Sequence, residues 1–371
     1  MSVSLFDPIF GATAVVAATD DRAWLGALCE VEAALARACA RAGVIEQATA
    51  ARITTAAGEL SRSDPAELGR RAAADGNPVI PLVAALRAAV GEDAAAVHLG
   101  ATSQDVLDTA SMLVAHRALA GIVADLSACG ASSARLAREH RDTHMAGRTV
   151  LQQAVPTTFG ALAAVWGAAL DRAGAGLAAT RDELPVQLGG AAGTLAGLPL
   201  DVVAGLAAEL GLAEPGGVWH TDRTVVAALA GALGVAAIAI GKVATDVVLL
   251  AQTEIGEVRE DAPGGSSIMA HKQNPIAAVT ARAGAARAPG LVATLLTGQH
   301  ELQRAAGAWH AEWPALVALL RAAGGAASRL DTCLTGLHAD SEAMARNAAG
   351  LDGDTGHAGE FVDRYLDGRS P

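Results

Sequence analysis

Between Arg223 and Lys242 the chain carries eighteen residues without a charge, Thr224 to Gly241. A helix made of that stretch is apolar nearly all round. Such a helix belongs either in a bilayer or at the centre of a large helical bundle. Lys242 and Asp246 follow at once and the apolar pattern continues from Val247 to Ala251, so the bundle is the expected home. The chain is 52% hydrophobic but only 3% aromatic, so its cores must be built from Ala, Leu and Val. Ala and Leu favour helix, and small side chains let helices pack closely. The expected class is all-α.

Three regions are expected. Residues 1–95 read as an N-terminal helical domain. Asp20 to Ala42 repeats apolar residues at helical spacing (Trp24, Leu28, Val31, Leu35), and Gly43 stops it. Asp64 caps a short helix opened by Pro65, Gly76-Asn77-Pro78 turns the chain, and Val79 to Val90 is helical. Residues 96–335 read as a central bundle of long helices that carries the active-site loops. Its segments are Asp105 to Thr143, as one helix or two, Pro156 to Arg181, Asp222 to Val258, Ile276 to Gln303 and Trp313 to His338. No strand-like alternation or hairpin dipeptide competes with this reading. Residues 336–371 form a short C-terminal segment with one amphipathic helix over 360–366.

The net charge of −12 argues against a nucleic-acid surface. It fits a cytoplasmic protein, and the N-terminus has no signal-peptide pattern. An anionic ligand must then be drawn by local cations rather than by the global field. Cys29, Cys39, Cys129 and Cys333 form no Cys-x-x-Cys pair and are expected as small buried hydrophobes. His140 and His144 are four apart on an expected helix, but no third metal ligand stands near, so both are read as surface residues. Glu254, Glu257, Glu260 and Asp261 read as a solvated helix end. No metal site and no membrane partner are expected.

One loop carries most of the chemistry. It reads Gly264-Gly265-Ser266-Ser267-Ile268-Met269-Ala270-His271-Lys272-Gln273-Asn274-Pro275. Glycines permit close backbone approach to a ligand, and the proline marks where a new element begins. Two hydroxyls, an imidazole, an ammonium and an amide stand between them. The chain has two lysines, Lys242 and Lys272, against 25 arginines, so a lysine here is not background. A second run, His98-Leu99-Gly100-Ala101-Thr102-Ser103-Gln104-Asp105, precedes an apolar helix. Thr102, Ser103 and Asp105 are cap candidates, and helix N-termini bind anions. A third run, Gly147-Arg148-Thr149-Val150-Leu151-Gln152-Gln153-Ala154-Val155-Pro156, also leads into a helix.

These runs resemble the fumarase/aspartase/argininosuccinate lyase superfamily, whose signature is Gly-Ser-Ser-x-Met-Pro-x-Lys-x-Asn-Pro. Ala270 stands where that signature has proline. Gln104 with His98 upstream is most similar to the enzymes that lactonize 3-carboxy-cis,cis-muconate. Gly76 to Pro81, Gln187 to Thr194, Trp219 to Arg223 and Arg304 to Trp313 agree with that likeness. The resemblance implies a long central bundle of the fumarase/aspartase type. It also implies a homotetramer with sites shared between subunits, a small tricarboxylate substrate and no cofactor. Carried over residue by residue, it makes Ser266 the group that exchanges a proton with carbon and His98 a second catalytic candidate. Thr102, Ser103, Arg148, Thr149, Gln153, Lys272 and Asn274 become the substrate-binding set. Val150 replaces a histidine that adenylosuccinate and argininosuccinate lyases use toward the leaving group. Ring closure releases no separate group, so the replacement fits lactonization better than elimination. Superfamily members usually carry a longer C-terminal helical domain than residues 336–371 provide. The alternatives are a fumarate-releasing lyase of the same superfamily and a helical assembly protein without activity.

Overall fold

The computed structural model describes residues 5–11, 13–269, 271–298 and 300–369. Two short helices, α1 (Asp7–Phe10) and α2 (Thr13–Ala18), precede α3 (Asp21–Arg41), α4 (Gln47–Leu60), α5 (Pro65–Asp75) and α6 (Val79–Val90). Local chemistry sets their ends. The Asp20 carboxylate accepts the Ala23 N–H at 2.8 Å, and Asp64 accepts the Ala66 N–H at 3.0 Å ahead of Pro65. Gly76 closes α5 in the left-handed conformation. Leu28 and Leu35 of α3, Ile53 of α4 and Leu82 and Leu86 of α6 share one hydrophobic core with Leu206 of α9 (Asp201–Leu210).

A second core fills the bundle of α7 (Ser103–Glu139), α8 (Phe159–Asp182), α10 (Thr224–Leu250), α11 (Ile276–Leu296) and α12 (Ala308–Thr335). These helices run alternately up and down. α7 packs on α8 and α12, α10 on α8 and α11, and α11 on α12. At about 1.5 Å per residue the 37 residues of α7 span roughly 55 Å. Both α7 and α10 are long and apolar enough to cross a membrane, yet both are packed into this bundle. The outward side of α10 exposes Val235 and Ile238, and Val165 of α8 and Leu296 of α11 are exposed as well. All four cysteines are free and buried. Burial pushes the Cys39 thiol up to about 11.

The protein is all-α in architecture, but the sequence reading needs correction in several places. α7 stops at Glu139, and a β-hairpin follows, β1 (His144–Thr149) and β2 (Gln152–Thr158), paired antiparallel. Its two-residue turn is Val150-Leu151, with φ of 52° and 62°. Such turns normally carry Asn or Gly because both residues must be left-handed, so no dipeptide signal announced it. The long helices also end sooner than expected, α10 at Leu250 and α11 at Leu296. A second small pair, β3 (Val258–Glu260) with β4 (Leu337–Ala339), ties the exit of α10 to the exit of α12. Then come α13 (Ser341–Ala348) and α14 (Ala358–Gly368). α14 is held to α8 where Tyr365 Oη donates to Asp171 at 3.1 Å and Arg369 Nε donates to the same carboxylate at 2.9 Å.

Candidate active site

The first cluster lies at the start of α7. Thr102 is its N-cap, in extended conformation, and Ser103 begins the helix. The buried Asp105 carboxylate takes four hydrogen bonds. Oδ1 accepts from Gly189 N at 2.9 Å and His220 Nε2 at 2.6 Å. Oδ2 accepts from Gly190 N and Thr102 N, both at 2.9 Å. A glycine-rich loop is thereby strapped to the helix N-terminus. The fit demands glycine: a Cβ on Gly189 would stand 2.7 Å from Val218, and one on Gly190 would stand 2.8 Å from the Gly100 carbonyl.

A layer of buried charge supports this cluster. Arg223 donates to both oxygens of Asp108, at 2.7 and 3.1 Å, and to both oxygens of Glu312, at 2.6 and 3.1 Å. Trp309 Nε1 donates to Asp108 at 2.9 Å, and Gln104 Nε2 donates to Asp108 and to the His220 carbonyl. Arg304 in turn donates to Gln104 Oε1 at 3.1 Å and to the Gly190 and Ala191 carbonyls. The runs 187–194, 219–223 and 304–313, far apart in sequence, thus meet at one end of the bundle. His98 stands beside them with φ 62°, its Nδ1 2.6 Å from Glu32 Oε1. Glu32, Asp108, Arg223 and Glu312 were not singled out from the sequence as site residues. Each looks like an ordinary helix charge until its burial is known.

The second cluster is the hairpin. Arg148 donates both terminal nitrogens to Glu257, at 2.9 and 2.7 Å, in a fork whose carboxylate is fully buried. Asn347 Nδ2 donates to the same carboxylate at 2.8 Å, and Gln153 Nε2 donates to the Asn347 carbonyl at 2.9 Å. Arg148 therefore reaches the surface already paired. Thr149 and the turn residues Val150 and Leu151 are exposed. The expectation of a solvated acidic segment fails at two places. Glu257 is buried against Arg148, and buried Glu260 accepts the N–H groups of Ala277 and Ala278, at 3.1 and 2.8 Å, at the start of α11. Free helix N–H groups and a cation supply the energy that water would otherwise give. Glu254 and Asp261 are exposed as expected. Of the two histidines placed on one helix, His140 instead ends α7 and lies against Phe159, and burial lowers its pKa. His144 begins β1 and is exposed.

The third cluster is the loop 264–275. It is closed at its base where Gly264 and Asn274 exchange backbone hydrogen bonds at 2.8 and 2.9 Å. The Asn274 side-chain amide also donates to the Gly264 and Gly265 carbonyls. Ser266 Oγ accepts the N–H groups of Ile268 at 3.3 Å and Met269 at 3.1 Å. Donors aimed at a hydroxyl oxygen favour its deprotonated form. Lys272 and His271 are exposed, while Ala270 lies outside the described residues.

The chain does not bring these clusters together. The hairpin and the loop 264–275 share the end of the bundle where α7 and α10 finish and α11 begins, joined through Glu257 and Glu260. Thr102, Ser103 and His98 sit at the other end, roughly the length of α7 away, about 55 Å. A small ligand held by both sets needs more than one copy of the chain.

A family model described as lyase matches residues 7–290. A nitrosuccinate lyase from Streptomyces davaonensis is 46% identical over 362 residues, covering 92% of this chain and 76% of that protein. A 3-carboxy-cis,cis-muconate cycloisomerase from Bradyrhizobium diazoefficiens is 45% identical over 355 residues, covering 92% of this chain and 78% of that protein. Among solved structures, a 3-carboxy-cis,cis-muconate lactonizing enzyme from Pseudomonas putida superposes with a TM-score of 0.89 at 36% identity. That match covers 98% of this chain and 87% of the other.

Proposed function

This chain belongs to the fumarase/aspartase/argininosuccinate lyase superfamily, and from that premise we propose that it is a 3-carboxy-cis,cis-muconate cycloisomerase. Similarity to several enzymes of that name, at 39–45% identity, supports the reading most directly. One substrate carboxylate adds to a double bond and closes a lactone. The displaced electron pair moves to the neighbouring carbon and spreads into its carboxylate, and that carbon then takes a proton. Fixed donors must meet the developing charge and a proton donor must stand over the carbon.

Ser266 is the proton-transfer group, and the two N–H groups at its Oγ support that role. Thr102 and Ser103, on the free N–H groups of α7, hold one carboxylate. Lys272 meets another. Arg148 and Thr149 contribute from the hairpin, with Arg148 adding direction more than net charge because Glu257 already offsets it. Gln153 and Asn274 set the shape of their own segments through their bonds to Asn347 and to the loop base. His98 completes the set at the α7 end. The site is assembled between copies of the chain in a homotetramer. The exposed Val235 and Ile238, three apart on α10, give such an assembly apolar surface to bury.

A second reading is favoured by the nitrosuccinate lyase similarity. A lyase acting on nitrosuccinate expels nitrite, which leaves as an anion without a proton. Val150 in place of a histidine is therefore as compatible with that elimination as with ring closure. Ultraviolet assays on carboxymuconate and on nitrosuccinate separate the two. Turnover of carboxymuconate at least tenfold the more efficient supports the cycloisomerase, and the reverse order assigns the lyase.

A further inference from the structure

We propose that Glu32 is a positioning residue for His98: a carboxylate buried in the N-terminal helices sets the tautomer and the angle of the imidazole at the start of α7. The proposal rests on the reading above only in taking the α7 N-terminus as a ligand site. Glu32 lies on α3 with no side-chain exposure, flanked one turn either way by buried Leu28 and Leu35. Packing alone would place an apolar residue there. Its Oε1 is 2.6 Å from His98 Nδ1, while Oε2 is buried without a partner. A carboxylate so placed has given up water at both oxygens and regained a bond at one. The nearby Cys29 thiol is pushed up to about 12, first by burial and then by the Glu32 charge.

His98 carries a burden of its own. Its φ of 62° is left-handed, a conformation that is strained for a non-glycine residue. Strain and a half-satisfied carboxylate fall on the same contact, and what that contact fixes is the ring. An ionised carboxylate only accepts, so it holds the proton on Nδ1, which donates to it, and leaves Nε2 as the nitrogen available to a ligand. The arrangement places a single nitrogen of defined orientation four residues before the Thr102 cap.

A double-mutant cycle tests this. In the enzyme, on whichever of carboxymuconate or nitrosuccinate is turned over, E32Q is expected to lower kcat about ten- to a hundredfold with KM within about twofold. In the H98N background the same change is expected to alter kcat by less than about twofold, because its effect runs through the ring. An equal loss in both backgrounds, or none in the wild-type background, overturns the proposal. Should E32Q not fold, E32D takes its place, since it keeps the charge but withdraws it by one methylene. A readout free of turnover is the ¹⁵N spectrum of histidine-labelled protein. The H98N variant identifies the His98 signals. Wild type is expected to show Nδ1 of His98 protonated, and the Glu32 variant to shift the ring toward the Nε2–H form. An unchanged spectrum overturns the proposal even if neither substrate reacts, whereas loss of turnover on both substrates alone sinks only the functional reading.

Discussion

Asp105→Asn is expected to destabilise the protein by roughly 2–6 kcal/mol, and the figure follows from how the carboxylate is used. Two donors reach each oxygen: Gly189 N–H and His220 Nε2 on Oδ1, Gly190 N–H and Thr102 N–H on Oδ2. Asparagine has the same shape but one of its two positions becomes an NH₂. Whichever way the amide turns, two donors are left facing a donor. Each buried donor without a partner costs about 1–3 kcal/mol, which gives the stated range. Against a typical stability of about 5–15 kcal/mol this is a large fraction. Urea unfolding followed by far-ultraviolet circular dichroism reads it as a lower midpoint at an unchanged slope. The kcat/KM should fall in parallel, because Thr102 and the glycine loop lose their common anchor. A loss under about 1 kcal/mol would refute the claim that one carboxylate straps the loop to the helix.

Other expected outcomes follow from the same geometry. Ser266→Ala should lower kcat by roughly a hundred- to ten-thousandfold while the melting curve stays in place, since Ser266 lies on a surface loop; near-normal turnover removes it from the mechanism. Arg223→Met leaves two buried carboxylates, Asp108 and Glu312, without their cation. A loss of about 3–5 kcal/mol in urea unfolding is expected, and a loss under about 1 kcal/mol contradicts the buried network. Burial, with the charge of Asp331 second, raises the Asp125 carboxyl to about 6. Its native form holds the proton more tightly than the unfolded chain does, so stability should fall as pH rises from about 4 to about 6. Asp125→Asn should therefore match wild type at low pH and exceed it above about pH 6, and a difference independent of pH excludes the effect.

Much of this was legible in the sequence, for identifiable reasons. The uncharged run 224–241 announced a bundle helix because a helix apolar nearly all round needs neighbours, and Lys242 and Asp246 directly after it argue against a bilayer. Asp20, Asp64 and Gly76 marked helix ends through chemistry that acts within three residues. The runs 98–105 and 264–275 could be read as loops because each stands just before a long apolar segment. What escaped depended on distance. Glu257 and Glu260 look solvated until Arg148 and the α11 N-terminus are brought to them. Glu32 sits in an amphipathic pattern that explains its helix but not its burial. The hairpin escaped because Val150 and Leu151 adopt left-handed angles that tertiary context, not local preference, imposes.

The central claim is that groups from opposite ends of one chain meet only across copies. Ser266→Ala and His98→Asn proteins, each far less active than wild type, should be mixed, dissociated in mild denaturant and reassembled. Random assortment gives roughly a quarter of the sites both intact groups, so about a quarter of wild-type activity is expected to return. Activity that stays at the level of the two parents would place Ser266 and His98 in the same chain's site, or outside the site altogether, and would contradict the account.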